Sequence, residues 1–326
     1  MVKTRAVQLH KPGGPEVLVW EEVELPEPAP GEALLRHEAV GVNFIDIYQR
    51  SGLYSLPRFP AVLGSEGAGI VEAVGAGVTD LKPGDRVAYG LSAPGAYSER
   101  RIIAADRLVL LPPSISAVTA AAIMLKGLTA EYLLRRTFRV KPGDVIVFHA
   151  AAGGTGSLAT QWAGHLGAEV IGVVGSEAKV SRARQNGCQH VIVSTTEDLV
   201  ARVKEITGGR GASVVYDSVG QDTFDRSLDC LAPLGTLVLF GQSSGPVPPV
   251  ELARLAKGSF FLTRPTLFHY DARRADLLAG AAALFDVVGE GAVRVDPPAT
   301  LPLRDAAQAH RMLEGRKTTG AIVLIP

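Results

Sequence analysis

Cysteine is scarce in this chain, with Cys188 and Cys230 the only two among 326 residues. Neither has a C-x-x-C partner, so a disulfide framework and a thiolate metal centre lack raw material, and both read as buried thiols. A surplus of either charge is missing too. Lys plus Arg and Asp plus Glu stand at 33 each, and no block of five like charges occurs, which argues against nucleic acid and anionic membrane as main partners. Apolar runs are broken by Gly, Pro or charge well before the roughly 18 residues of a membrane span. Met1 to His10 shows no signal or transit pattern, so a cytoplasmic protein is expected. The seven histidines form no ligand-spaced pair such as H-x-x-x-H.

What is present suits a globular protein of two domains. Hydrophobic residues make up 47% and charged residues 20% of a chain too long for one ordinary core. From Val2 to about Leu125 the segments VLVWEEVEL, EALLRHEAVGV, AGIVEAVGAGV, DRVAYG and RIIAADRLVLL are short and alternating or β-branched, closed by Gly/Pro turns. They predict a barrel-like all-β half. From about Lys126 the runs VIVFHA, EVIGVV, HVIVS, SVVYDSV and TLVLFG alternate with helical stretches, which predicts βαβ units on a doubly wound parallel sheet. FFLTRPTL reads as one more strand and a plausible sheet edge. The helical and strand segments of the tail are expected to return to the first domain. The fold class is α/β, with a domain at 1–125 completed by 266–326 and a nucleotide-binding domain at 126–265.

The strongest local signal is VIVFHAAAGGTGSLATQWAGHLGAEVIGVVGS: strand, Gly-rich turn, helix, strand. Its turn Ala151-Ala152-Gly153-Gly154-Thr155-Gly156 is the G-x-G-x-x-G dinucleotide fingerprint with Ala first. Gly153 lets main chain approach a pyrophosphate, Gly156 lets helix pack on strand, and the helix N-terminus faces the negative charge. At the end of the next strand, where an NAD enzyme places an acid on the ribose 2′-hydroxyl, stand Gly175 and Ser176. Without that carboxylate a 2′-phosphate is admissible, held by the Ser176 hydroxyl with Lys179 and Arg182; the alternative is that these cations form a solvated helix face. The loops Asp217-Ser218-Val219-Gly220 and Phe240-Gly241-Gln242-Ser243-Ser244-Gly245 follow later strands. They are candidates for ribose and nicotinamide contacts, or plain turns.

Two segments of the β half, GVNFIDIY from Gly41 and GSEGAGIVEAVG from Gly64, resemble the medium-chain dehydrogenase/reductase superfamily. With HAAAGGTG, VVYDSVG, FGQSSG, TRPTL and the terminal LIP the chain is similar to its zinc-free quinone oxidoreductase, or zeta-crystallin-like, branch from end to end. The resemblance implies a Rossmann domain and a GroES-like catalytic domain, NADPH as cofactor, and a homodimer. It also implies that Phe44, Ile45, Asp46, Thr129, Arg264 and Arg316 touch the cofactor, although the last three read equally well as an ordinary cap or surface charges.

Zinc alcohol dehydrogenases of the superfamily carry Cys where this chain has Asn43, His where it has Ser65, and a third ligand near Leu125. No metal is therefore expected, and Glu66 reads as a buried structural carboxylate. Hydride addition to an isolated ketone builds a localised alkoxide that calls for a Lewis acid, whereas a quinone or conjugated enone spreads the charge. Weak donors then suffice, and Asn43, Tyr48 and Tyr54 are the catalytic candidates; each tyrosine has the alternative of filling core. The expected activity is NADPH:quinone reduction. The alternatives are reduction of an alkenal or enone double bond, and a non-enzymatic NADPH-binding structural or RNA-binding role.

Overall fold

A computed structural model describes residues 1–315 and 318–326. The chain divides into two compact units, one of Met1–Leu128, Asp271–Phe285 and Val295–Pro326, the other of Thr129–Tyr270 and Asp286–Arg294. Residues 266–270 and 286–294 thus group with the nucleotide-binding unit, whereas the sequence reading ended that domain at 265. Side chains explain this. Tyr270 stacks on Tyr132 at 4.4 Å between ring centroids, and Arg294 donates its main-chain N–H to Gln161 Oε1 at 3.0 Å.

Among its described residues the second unit is built on a six-stranded sheet. The spatial order is His190–Val193, Glu169–Val174, Val145–His149, Ala212–Asp217, Leu231–Leu239 and Phe261–Thr263, every pair parallel. Numbered along the chain this is 3-2-1-4-5-6. The order reverses at Val145–His149, and in such a sheet the ligand crevice opens at the carboxyl ends beside the reversal. Val170 to Val174 are all buried, as a strand covered on both faces demands. FFLTRPTL is not one strand: only Phe261–Thr263 pairs. Pro265 has no N–H for a ladder, and the chain turns into the helix Leu267–Tyr270.

Among its described residues the first unit packs a seven-stranded and a three-stranded sheet around a core that includes Leu9, Leu35, Val40, Tyr89, Tyr97 and Leu324. The terminal strand Ile322–Ile325 pairs with Glu32–Val42, so the chain end does return to this unit. The β half is not wholly β. Phe44–Ser51 is a helix because Asp46 caps it and Ile47 and Arg50, three apart, face inward. Helix Ala117–Tyr132 begins well before residue 125, driven by the run AVTAAAIML, which has high helix propensity and no turn signal. Its continuation, Ala117–Thr137, is long and apolar enough to cross a membrane by length and composition, and 83% of its most apolar window is buried within the protein. Lys126 and Glu131 interrupt the apolar run without ending the helix.

Candidate active site

Strand Val145–His149 hands over to the Gly-rich turn through Ala150, which takes a left-handed φ of 53° although it carries a Cβ. The turn is stitched to the neighbouring strand by Ala151 N–H donating to Val173 O at 3.1 Å, and closed by Gly153 N–H on Ala150 O at 2.8 Å. Gly153 then caps the helix Gly154–His165, whose first N–H groups have no partner within the helix. A Cβ on Gly156 would stand 2.3 Å from Ala150 O, so only glycine fits there. Ala152 is buried, while Gly153, Gly154 and Thr155 are partly open. This bare backbone cradle at a helix start fits a pyrophosphate.

The cradle's neighbours are the residues read from sequence. Val173 pairs in register with His149, which sets Gly175 and Ser176 beside the turn. A Cβ on Gly175 would meet nothing within 4 Å, and Ser176 and Lys179 are partly exposed. Across the reversal, the loops after Asp217 and Leu239 are laced together: Ser243 N–H donates to Ser218 O, and Ser244 donates to Val219 O through both its N–H and its hydroxyl. Phe240, Gly241 and Gln242 sit in the same laced loop, half-buried. Asp217 itself is closed to ligand, accepting from Val219 N–H, Gly220 N–H and the hydroxyls of Thr223 and Ser227. Arg264 reaches the carboxyl end of Leu231–Leu239 by donating to Leu239 O at 3.0 Å, and Thr129 is buried in its helix. Arg316 lies outside the described residues. His149 is a core histidine against Ser227, its basicity lowered by burial, and burial pushes both thiols up to about 12.

In the first unit one short helix gathers the proposed catalytic side chains. Asn43 is its N-cap, Phe44 and Ile45 its first residues, and Tyr48 lies one turn on. The rings of Phe44 and Tyr48 are 6.1 Å apart, and Tyr54 meets Tyr48 edge-on at 5.2 Å. Asp46 is not open to ligand: it is fully buried and accepts the Asn43 N–H at 2.8 Å and the Tyr97 hydroxyl at 3.0 Å. The Asn43 carboxamide and the Asp46 carboxyl form a capping box at this helix start. The Asn43 Nδ2 donates to Glu66 Oε2 at 2.8 Å, which also accepts from Lys126 Nζ at 2.8 Å, while Glu66 Oε1 accepts the Leu125 N–H at 2.7 Å. Glu66 is therefore the buried structural carboxylate that its sequence setting implies. Lys126 escaped the sequence reading, although a lone Lys in the apolar run AAIMLKGL was a visible signal for a buried ion partner.

Behind the helix runs a second buried network with a consequence for pH. Arg50 donates to His310 Nδ1 and to both oxygens of Glu314, so His310 Nε2 carries the proton and donates to Tyr97, which donates to Asp46. Burial, aided by Arg50, lowers His310 to about 3; burial with Arg101 nearby lowers His37 likewise to about 3. Burial raises Asp46 to about 7 against the hydrogen bonds from Asn43 and Tyr97. Each histidine takes up a proton on unfolding, so its stability contribution is lost as pH falls from about 6.5 towards 3. Asp46 gives one up on unfolding, so its contribution is lost as pH rises from about 4 to 7. Between pH 4 and 6.5 one histidine is cancelled and one remains, a slope of about 1.4 kcal/mol per pH unit. His310→Gln is expected to flatten urea-unfolding stability over this window relative to the parent; parallel slopes for the two proteins would refute the assignment.

A 3-2-1-4-5-6 sheet carrying a glycine cradle on its first strand, in a chain that also folds a mostly antiparallel β unit, points to a nucleotide-dependent dehydrogenase or reductase of the medium-chain class. Residues 154–279 match the zinc-binding dehydrogenase family and residues 29–113 the alcohol dehydrogenase GroES-like domain. The chain is 50% identical over 99% of both chains to a quinone oxidoreductase of Pseudomonas aeruginosa. It is 46% identical over 98% of both chains to a 2-haloacrylate reductase of a Burkholderia species. A structure of Escherichia coli quinone oxidoreductase complexed with NADPH superposes with a TM-score of 0.97 at 49% identity, covering 99% of this chain and all of that one. The chain belongs to the quinone oxidoreductase family of the medium-chain dehydrogenases/reductases. Among the described residues no three His, Cys, Asp or Glu are grouped to hold a metal ion.

Proposed function

We propose that the chain is an NADPH-dependent quinone oxidoreductase that needs no metal ion. The observation that carries this is full-length kinship with quinone oxidoreductases, combined with amide and hydroxyl donors at the positions of zinc ligands. NADPH, when bound, supplies the hydride. Ala152, Gly153, Gly154, Thr155 and Gly156 hold its pyrophosphate, and Gly175, Ser176 and Lys179 its 2′-phosphate. Ser218 and Phe240 to Ser244 receive the ribose and nicotinamide, with Thr129, Arg264, Arg316, Phe44 and Ile45 completing the contacts. Asp46 contributes by capping the helix that presents Phe44 and Tyr48, since its own carboxyl is enclosed.

On the acceptor, the charge that arrives with hydride spreads over a conjugated system, so the Asn43 amide and the Tyr48 and Tyr54 hydroxyls suffice to orient and stabilise it. A hydrogen bond to that developing charge is worth about 1–3 kcal/mol. Tyr48→Phe is accordingly expected to lower kcat/KM for quinone roughly 5- to 150-fold with NADPH affinity nearly unchanged. Parent-like kinetics with every acceptor would return Tyr48 to the core.

The 2-haloacrylate reductase relative favours a second reading, reduction of a conjugated carbon–carbon double bond by the same residues. A purely nucleotide-binding role is separated from both by turnover. We place the protein in the cytoplasm, as a homodimer joined through the edge strand Phe261–Thr263. Among the described residues that strand pairs on one side, and Leu234, Leu252, Phe261 and Phe268 of the same unit are exposed.

A further inference from the structure

Two opposite charges are enclosed beside Asn43: Glu66 is fully buried and the Lys126 side chain is 8% exposed. Such a pair is weak support for stability, because desolvating each ion costs several kcal/mol and an apolar pair of similar volume often does as well. Its chemistry suits another task. A carboxylate only accepts hydrogen bonds, so the Asn43 amide has one admissible orientation, with Nδ2 on Glu66 and Oδ1 turned towards the first turn of its own helix. A glutamine or a protonated carboxyl would carry a donor of its own and would not impose that choice. The carboxylate's charge is balanced by Lys126, whose Nζ donates to the same Oε2 at 2.8 Å. Space for the arrangement is reserved at Gly41, where a Cβ would stand 2.2 Å from Glu66 Oε2.

We propose that Lys126 is a positioning residue of the active site: by pairing with Glu66 Oε2, the oxygen that also accepts from Asn43 Nδ2, it holds the Asn43 carboxamide in the one orientation that serves the acceptor. The inference rests on the reading of Asn43 as an acceptor-orienting residue.

The test compares Lys126→Met, Lys126→Arg, Asn43→Ala, Lys126→Met/Asn43→Ala and Glu66→Gln/Lys126→Met in the full chain, by kcat and KM for 1,4-benzoquinone, NADPH affinity and Tm. Lys126→Met is expected to lower kcat at least tenfold with NADPH affinity within twofold, and Lys126→Arg to restore most of it. In the Asn43→Ala background Lys126→Met should add less than a twofold loss. Since Lys126→Met strands a buried charge and is liable to unfold, Glu66→Gln/Lys126→Met provides a folded comparison, with parent-like Tm and kcat still reduced at least fivefold. Parent-like kcat in that double variant, or fully additive losses with Asn43→Ala, would overturn the proposal. Parent-like kinetics of Asn43→Ala alone would overturn the reading of Asn43, and the proposal with it.

Discussion

Ser176→Asp is expected to reverse the cofactor preference, so that the protein binds NADH more tightly than NADPH. Strand Glu169–Val174 ends beside the glycine turn and leads into Gly175 and Ser176, where an acid would meet the adenosine ribose. A 2′-phosphate carries close to two negative charges near neutral pH. An aspartate at 176 repels it by on the order of 2 kcal/mol at the effective dielectric of a protein surface, about 30-fold, and accepts the ribose hydroxyls of NADH instead. Lys179, partly exposed in the turn that follows Ser176, attracts the phosphate by about 1–2 kcal/mol. Lys179→Ala should therefore weaken NADPH about tenfold and leave NADH within twofold. Glu177, exposed in the same turn, serves as control, and Glu177→Gln should change neither affinity by more than twofold. Equal weakening of both cofactors in Lys179→Ala would make that lysine an ordinary solvated helix residue.

Gly156→Ala is expected to abolish measurable NADPH binding and to destabilise the fold. The added Cβ would stand 2.3 Å from Ala150 O and 2.8 Å from Ala151 Cα, both main-chain atoms held by the strand and unable to rotate away. Forcing it in costs roughly 1–3 kcal/mol and pushes the helix off the turn. Gly153 differs. Its Cβ would come no closer than 3.1 Å, to Ala150 O, so Gly153→Ala should fold normally and lose NADPH because the methyl occupies the approach to the pyrophosphate. Thermal unfolding with and without NADPH separates the two, since a ligand at a hundred times its Kd stabilises by about 2.7 kcal/mol. Parent-like NADPH stabilisation of Gly156→Ala would contradict the assignment of the cradle.

These glycines were legible in sequence because what they do is local: a backbone shape at a strand end needs a residue without Cβ, whatever surrounds it. The parallel sheet was legible for a similar reason, its strands being unbroken β-branched runs. Features that depend on partners remote in sequence were not. Lys126 and Glu66 are 60 residues apart, and Arg50 and Glu314 are 264 apart, so neither periodicity nor spacing could join them. Asp46 looked available for the cofactor, and only the fold shows Tyr97 and the Asn43 N–H enclosing it. The boundary beyond residue 265 escaped because it is set by Tyr270 on Tyr132 and Arg294 on Gln161. The helix starting at Ala117 was hidden by a run of small apolar residues that gives no period, and FFLTRPTL by Pro265, whose missing N–H ends the ladder that Phe261–Thr263 begins.

The central claim, metal-independent hydride transfer from NADPH to a quinone, is tested most directly by one kinetic comparison. Protein exhaustively treated with a strong chelator is mixed with NADPH and, in turn, 1,4-benzoquinone, an α,β-unsaturated aldehyde and a 2-haloacrylate, and NADPH consumption is followed. The account predicts rapid turnover with the quinone, unchanged by chelation, at a kcat/KM at least tenfold above either alkene. NADPH left unconsumed with quinone but consumed with an alkene, or activity lost on chelation and restored by zinc, would contradict it.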